Sequence, residues 1–270
     1  MRAAQLTIAA AVAGLLTPGV VFGANSTSDD RIALSANGST LTGTDGGGGG
    51  SAGWLHNFDA DTLVGVAVEH QALSSAHWTF GSVNGSMTRG PGDARYSVYA
   101  EAHEGAGNDG PKHLKYSIET AGVIGTYFHR LSVQLEDREI DVETVHGNLP
   151  KLGLSYQWTR RILTSVSYAY SVNGDLGTRL TSARIDEYGQ SVNFLAGVAV
   201  GQASAAVLNE GFIVAPGRRL REGYAGISKP LRHLRGDLSL IADYQDLSGS
   251  KRVTVTLNYI FHVGNVGTAR

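Results

Sequence analysis

The sequence predicts an all-β protein whose antiparallel strands close into a barrel across a membrane. Three observations predict this fold: long segments that alternate apolar and polar residues, an apolar export segment at the start of the chain, and a composition rich in glycine and poor in charge. Of the 270 residues, 36 are glycine, 42% are hydrophobic and only 17% are charged. Average proteins have roughly 25% charged residues. The chain is therefore too apolar to be disordered and too glycine-rich for a helical bundle.

The alternation is clearest between Lys151 and Thr159. One face of this segment is bulky and carries Leu152, Leu154, Tyr156 and Trp158. After Arg160 and Arg161 the pattern restarts and continues from Ile162 to Tyr170. Because successive side chains of a strand point to opposite faces, the two segments predict one hairpin. Further alternating segments lie at 64–69, 95–103, 114–119, 131–136 and 237–245.

The length of these segments favours a membrane barrel over a soluble β-sandwich. Sandwich strands usually have about five or six residues, whereas a tilted strand that crosses a bilayer needs about nine to eleven. One face is apolar, and the other is small or charged, which suits a wet interior. In lipid the strands must close upon themselves, because an open edge would leave backbone groups unpaired.

We predict fourteen strands, with twelve as the alternative. The strands are expected near 30–42, 49–57, 61–70, 76–87, 94–103, 113–122, 130–143, 149–159, 162–173, 191–200, 204–214, 220–228, 235–246 and 251–263. Short links at 125–128, 160–161, 201–203 and 229–232 are predicted at the end that holds both termini. Longer links are predicted opposite them at 104–112 and 173–190, whereas the tight link at 247–250 departs from this alternation.

Aromatic residues near the short links predict a girdle at one membrane interface. They are Phe58, Tyr127, Phe128 and Trp158. Tyr and Trp favour this depth because the amphipathic ring is half hydrated there. The alternative to a membrane barrel is a soluble β protein, in which the same residues would belong to an ordinary core.

The domain organisation predicted is a signal peptide at 1–23, a barrel at 24–263 and a periplasmic tail at 264–270. An apolar stretch follows Met1 and Arg2 and is broken at Pro18 and Gly19, which is typical of a cleaved export signal. The chain has no cysteine, so it offers no disulfide, thiolate ligand or Cys nucleophile. The net charge of −2 provides no basic field for nucleic acid.

The last strand carries the most specific pattern in the sequence. Its alternate residues are Val253, Val255, Leu257, Tyr259 and Phe261. This pattern resembles the terminal-strand signal of Gram-negative outer-membrane β-barrel proteins, a porin-like class. The resemblance implies a place in the outer membrane, contact with its lipid and insertion by the barrel-insertion machinery. The tail at 264–270 departs from the class, whose members usually end at the aromatic residue.

The charged residues of the polar faces are predicted to point into the lumen. They are Arg95, Glu101, Lys115, Glu119, Glu136, Asp237 and Asp243. Such charges either select among passing ions and solutes or pair with one another as a structural network. We therefore expect a pore for small solutes or for a saccharide chain. The alternative is a surface barrel without transport that binds or supports through the links at 104–112 and 173–190.

Catalysis is the third and weakest hypothesis, and we predict no catalytic residue, metal or cofactor. The glycine run at 46–50 lacks the Lys-Ser/Thr pair of a phosphate loop and is expected to be flexible. His103 and Glu104 begin a zinc-protease motif, but residue 107 is Gly. Ser248 and Lys251 have the S-x-x-K spacing of some acyl-transfer enzymes, yet a tight turn explains it. A hydrolase at the rim would use the remaining candidates: His70, His77 and His103 with Glu69 or Glu101.

Overall fold

The computed structural model describes residues 29–42, 46–59, 61–73, 76–90, 94–109, 112–142, 145–203, 218–248 and 250–263. The first eight strands are β1 (Asp29–Leu41), β2 (Gly47–Asn57), β3 (Thr62–Leu73), β4 (Ala76–Arg89), β5 (Ala94–Asp109), β6 (Lys112–Tyr127), β7 (Leu131–Val142) and β8 (Val145–Asn148). The others are β9 (Lys151–Gln157), β10 (Ile162–Tyr170), β11 (Val172–Gly174), β12 (Arg179–Tyr188), β13 (Asn193–Ala203), β14 (Arg218–Leu231), β15 (Gly236–Leu247) and β16 (Ser250–His262). No helix in these ranges is long and apolar enough to cross a membrane.

The strands form one closed antiparallel barrel of 14 strands. Outside the segments from β8 to β11, strands that follow one another in the chain pair with each other, and β1 pairs with β16 to close the ring. β8 and β9 form one interrupted strand, because both pair with β7. β11 likewise continues β10 and pairs with β8. Closure pairs the strands around the ring, which meets the requirement for strands in lipid.

The predicted hairpin from Lys151 to Tyr170 is confirmed, and so is the alternation of the last strand. Alternate residues on β16 are exposed on the outer wall, including Val253, Val255 and Leu257. The intervening residues Thr254, Thr256 and Asn258 face the lumen and are buried. This arrangement places the apolar residues of the terminal-strand pattern on the outer wall.

We call the end that holds Asp29 and His262 the near end, and the opposite end the far end. The near-end links at 58–61, 128–130, 158–161, 189–192 and 232–235 are short, as predicted for this side. The tight far-end link between β15 and β16 is also confirmed. Outward aromatic residues cluster at the near end, among them Trp54, Phe58, Tyr127, Phe128 and Trp158.

Three of the predicted links are wrong. Residues 104–112 do not form a long loop, because β5 continues to Asp109 and β6 begins at Lys112. Residues 173–190 contain the whole of β12. Residues 201–203 belong to β13 instead of forming a near-end turn. In each case the chain continues as strand through residues whose alternation is weak in the sequence.

The glycine run at 46–50, which is expected to be flexible, lies mostly within a strand, since β2 begins at Gly47. Paired strands hold these glycines on both sides, with Gly49 opposite Asn37 and Gln71. The predicted signal peptide at 1–23, the strand at 204–214 and the tail at 264–270 lie outside the described residues. The number of strands is thus as predicted, although β12 was not among those predicted.

Candidate functional site in the barrel lumen

Four of the predicted inward charges lie in the lumen and are paired. Arg95 Nη2 donates to Asp61 Oδ1 at 3.0 Å. Glu101 Oε1 lies 2.9 Å from His103 Nε2, and Asp237 Oδ2 lies 3.1 Å from His262 Nε2.

The fourth paired charge, Glu136, is buried and is the acceptor at the centre of a larger cluster. The Nζ atom of Lys151 lies 3.3 Å from Glu136 Oε2, and Arg138 Nη2 lies 3.5 Å from Oε1. Tyr99 donates its hydroxyl to the same carboxylate at 2.6 Å, and Gln134 donates its amide at 3.0 Å. We call these five residues the Glu136 cluster. A buried carboxylate needs such partners, because its desolvation costs several kcal/mol.

Lys115 and Glu119 are exposed and lie on the outer wall, contrary to the prediction. They share a face of β6 with Val123 and Tyr127, whereas Tyr116 and Ile118 face the lumen. The polarity of β6 therefore reverses along its length. Its far half has apolar residues inside and charged residues outside. The same change occurs on β7, where Asp137, Glu139 and Asp141 follow Leu135 on the outer wall. The seventh predicted charge, Asp243, lies on the lumen face of β15 and is half-buried.

The lumen holds an apolar cluster toward the far end. Its buried members are Ile118, Ile140, Val145, Leu149, Ala169, Leu176, Leu180, Ala199 and Leu220. They come from β6 to β14 and from the link between β11 and β12. Ile140, Leu176 and Leu220 have no exposed surface at all. Tyr116 also packs against this cluster and stacks on Phe80, with 5.2 Å between ring centroids.

The link at 175–178 folds inward to deliver Leu176 to the apolar cluster. Ser171 N–H donates to the Thr178 carbonyl at 2.9 Å, and Thr178 N–H donates to Ser171 Oγ at 2.8 Å. Asp175 N–H donates to the His146 carbonyl at 2.9 Å. Gly174 adopts a φ of 84°, and a Cβ atom there would collide with the carbonyl oxygen of His146. The bend thus depends on a glycine.

Another part of the lumen wall carries a row of small neutral polar residues, which we call the polar row. It runs across six strands, from β13 through β16 to β1 and β2, in the order Asn193, Ser228, Ser239, Asn258, Ser35 and Ser51. Each residue is the direct cross-strand neighbour of the next. From Asn193 to Ser51, each residue of the row tends to lie farther from the near end, because barrel strands are tilted and staggered.

Hydrogen bonds along the polar row leave two amide oxygens without a partner. Asn193 Nδ2 donates to Ser228 Oγ at 3.2 Å, and Asn258 Nδ2 donates to Ser239 Oγ at 3.2 Å. The hydroxyls of Ser35 and Ser51 lie 2.8 Å apart. The Oδ1 atoms of Asn193 and Asn258 are buried and accept no hydrogen bond within the part of the chain described.

The candidate hydrolase residues do not meet at one site. His70 is exposed on the outer wall, with its Nδ1 2.9 Å from Thr79 Oγ1. His77 is also exposed, and it lies 3.4 Å from the Asn108 amide. His103 instead faces the lumen beside Glu101. Over the described ranges, no group of three or more His, Asp or Glu side chains has the arrangement to hold a metal ion.

Sequence reasoning missed both the polar row and the apolar cluster. The polar row cannot be found by scanning one segment, because its members come from six strands. The cluster residue Leu180 lies on β12, whose outward Arg179 and Glu187 obscure the alternation. The detectable signal there was the pair Ala183 and Ile185, two residues apart on one face.

Comparisons with known proteins agree with the fold. No family model matches the chain, and no curated protein sequence matches it. Among solved structures, the CymD monoaromatic hydrocarbon channel superposes with a TM-score of 0.55 at 9% identity, covering 88% of each chain. A FadL homologue of Pseudomonas aeruginosa has a TM-score of 0.53 at 8% identity, covering 86% of this chain and 90% of that one.

The outer-membrane protein Omp33 of Acinetobacter baumannii has a TM-score of 0.51 at 11% identity, covering 86% of this chain and 98% of that one. At these identities the likeness concerns architecture only. The chain has the fold of the outer-membrane β-barrel channels.

Proposed function

We propose that the protein is a passive channel for small solutes in the outer membrane of a Gram-negative cell. The closed barrel with an apolar outer wall and a polar lumen carries this proposal. Such a barrel is stable only where lipid covers the wall and the polar groups stay inside. Near-end aromatic residues, including Trp54 and Trp158, support a membrane interface at that level. The barrel-insertion machinery and outer-membrane lipid are the partners this location requires.

Small solutes fit the lumen better than a saccharide chain does. The apolar cluster takes up part of the far lumen from β6 to β14, whereas the polar row lies mostly on other strands. The paired charges also favour neutral solutes over ions, because Lys151 and Arg138 already neutralise the Glu136 carboxylate. We expect weak ionic conductance and faster passage of neutral solutes.

The proposal is tested with the purified full chain in liposomes and planar bilayers. Heat-modifiable migration on a gel first establishes that the barrel is folded. We then expect the liposomes to swell in small neutral solutes well above empty liposomes, and small discrete current steps in the bilayer. A folded barrel that gives neither swelling nor current would contradict a channel function.

A surface barrel without transport is the second candidate, and the zero exposure of Ile140, Leu176 and Leu220 favours it. In that case the apolar cluster would seal the lumen and stiffen the barrel. The liposome experiment separates the two functions, because a sealed barrel leaves swelling at the level of empty liposomes.

A further inference from the structure

We infer that the polar row is a binding path for neutral solutes that carry hydroxyl groups, such as small polyols. This inference rests on the proposed channel function and names its solute class. The observation behind it is the pair of unsatisfied acceptors, Asn193 Oδ1 and Asn258 Oδ1. The two residues are only 4% and 5% exposed.

A buried acceptor without a partner is costly. Leaving one unsatisfied costs about 1–3 kcal/mol, so a donor from outside the chain stabilises the site. The two oxygens are separated by three strand spacings, or roughly 14 Å. Both oxygens have almost no solvent-accessible surface, so a hydroxylated solute donates to each of them when the asparagine amide turns toward the lumen.

The row also offers donors of its own. The hydroxyls of Ser228 and Ser239 each accept from an asparagine amide, so their protons remain available. A hydroxyl group both donates and accepts, and it matches this alternation of free donors and acceptors. Ser35, Ser51 and Ser239 are half-buried, which leaves the row in contact with the lumen.

The six residues of the polar row carry no charge, and the nearest charged residue on β15, Asp237, lies 3.1 Å from His262 Nε2, which favours neutral solutes over ions. The next residue along the row is Glu69 on β3, and Gln71 Nε2 donates to its carboxylate at 2.6 Å. A charged or zwitterionic solute would lose its hydration without gaining an opposite charge. A polyol loses only hydrogen bonds that the row replaces.

The test compares xylitol with glycine betaine, a zwitterion that has no net charge, in liposomes that contain the full chain. Xylitol carries hydroxyls, whereas glycine betaine has a similar size and none. We expect the wild-type protein to pass xylitol faster, and Asn258→Leu to slow xylitol by about threefold or more while betaine is unchanged. Leucine keeps the shape of asparagine and removes its polar atoms. The control is Thr88→Val, which disrupts the Thr88–Ser97 hydroxyl pair elsewhere in the lumen and should leave the ratio of rates unchanged.

The outcomes distinguish the inference from the proposed function. Equal wild-type rates for both solutes, or an equal fall of both rates in Asn258→Leu, would overturn the polyol path while the channel stands. The polyol path would also be overturned if Thr88→Val, like Asn258→Leu, slowed xylitol without slowing betaine. Hydroxyls anywhere in the lumen would then suffice to bind the solute. Wild-type liposomes that swell in neither solute would overturn the channel itself.

Discussion

The two sides of the lumen differ in what fills them. From β5 to β14 long charged and branched apolar side chains fill the interior, in the Glu136 cluster and the apolar cluster. On β13 to β2 the polar row presents only serine and asparagine. On the first side, packed contacts join many strands. On the second side, two amide oxygens of the polar row accept no hydrogen bond from the described part of the chain. The difference teaches that one inner wall can combine a packed region with a region whose hydrogen-bonding groups are only partly satisfied.

The largest effect is expected from Glu136→Gln. The substitution removes the charge that pairs with Lys151 and Arg138 and leaves two buried cations without a carboxylate. Breaking a buried pair in this way costs about 3–5 kcal/mol. Urea unfolding of the folded barrel in lipid vesicles measures the change in free energy of unfolding. The matched control is Glu119→Gln, an exposed residue of the outer wall, for which we expect almost no change.

A similar loss in both variants would show that the Glu136 cluster is not the stabilising element of its side of the lumen. It would also remove the contrast with the polar row, since the fold would then depend equally on carboxylates inside and outside the barrel.

The next effect is expected from Leu176→Ala, which takes a fully buried side chain out of the apolar cluster. Such a truncation costs about 2–5 kcal/mol through lost burial and the cavity left behind. Conductance should also rise, because space opens at the far end of the lumen. Leu234→Ala is the control, since Leu234 is 59% exposed in a near-end turn. Unchanged conductance together with lower stability would separate the packing role of Leu176 from any role in passage.

The smallest effect of the three is expected from Gly174→Ala. An alanine at a φ of 84° is strained, and its Cβ atom would meet the His146 carbonyl. Strain of this kind costs about 1–3 kcal/mol. Gly223→Ala is the matched control, because a Cβ atom at Gly223 would meet nothing within 4 Å. Equal unfolding midpoints for the two variants would mean that the inward link does not depend on this bend.

Much of the fold could be predicted from the sequence, and the errors have a common cause. The alternation of apolar and polar residues predicted the 151–170 hairpin and the outward face of β16, because lipid on one side selects apolar residues at every second position. It failed for β12, where Arg179 and Glu187 are outward near the two ends of the strand. It also assigned the wrong face to Lys115 and Glu119, because the apolar residues of that part of β6 pack inside the lumen.

The sequence by itself determined the period of the chain, its antiparallel strands and the closed barrel they require. Only the tertiary structure decided which face of each segment is inside, because a period of two has the same form whether the apolar face meets lipid or a packed lumen. The tertiary structure also brought six residues from six strands into the polar row. Closure and stagger of the barrel set those neighbours, and neither can be read from any single segment.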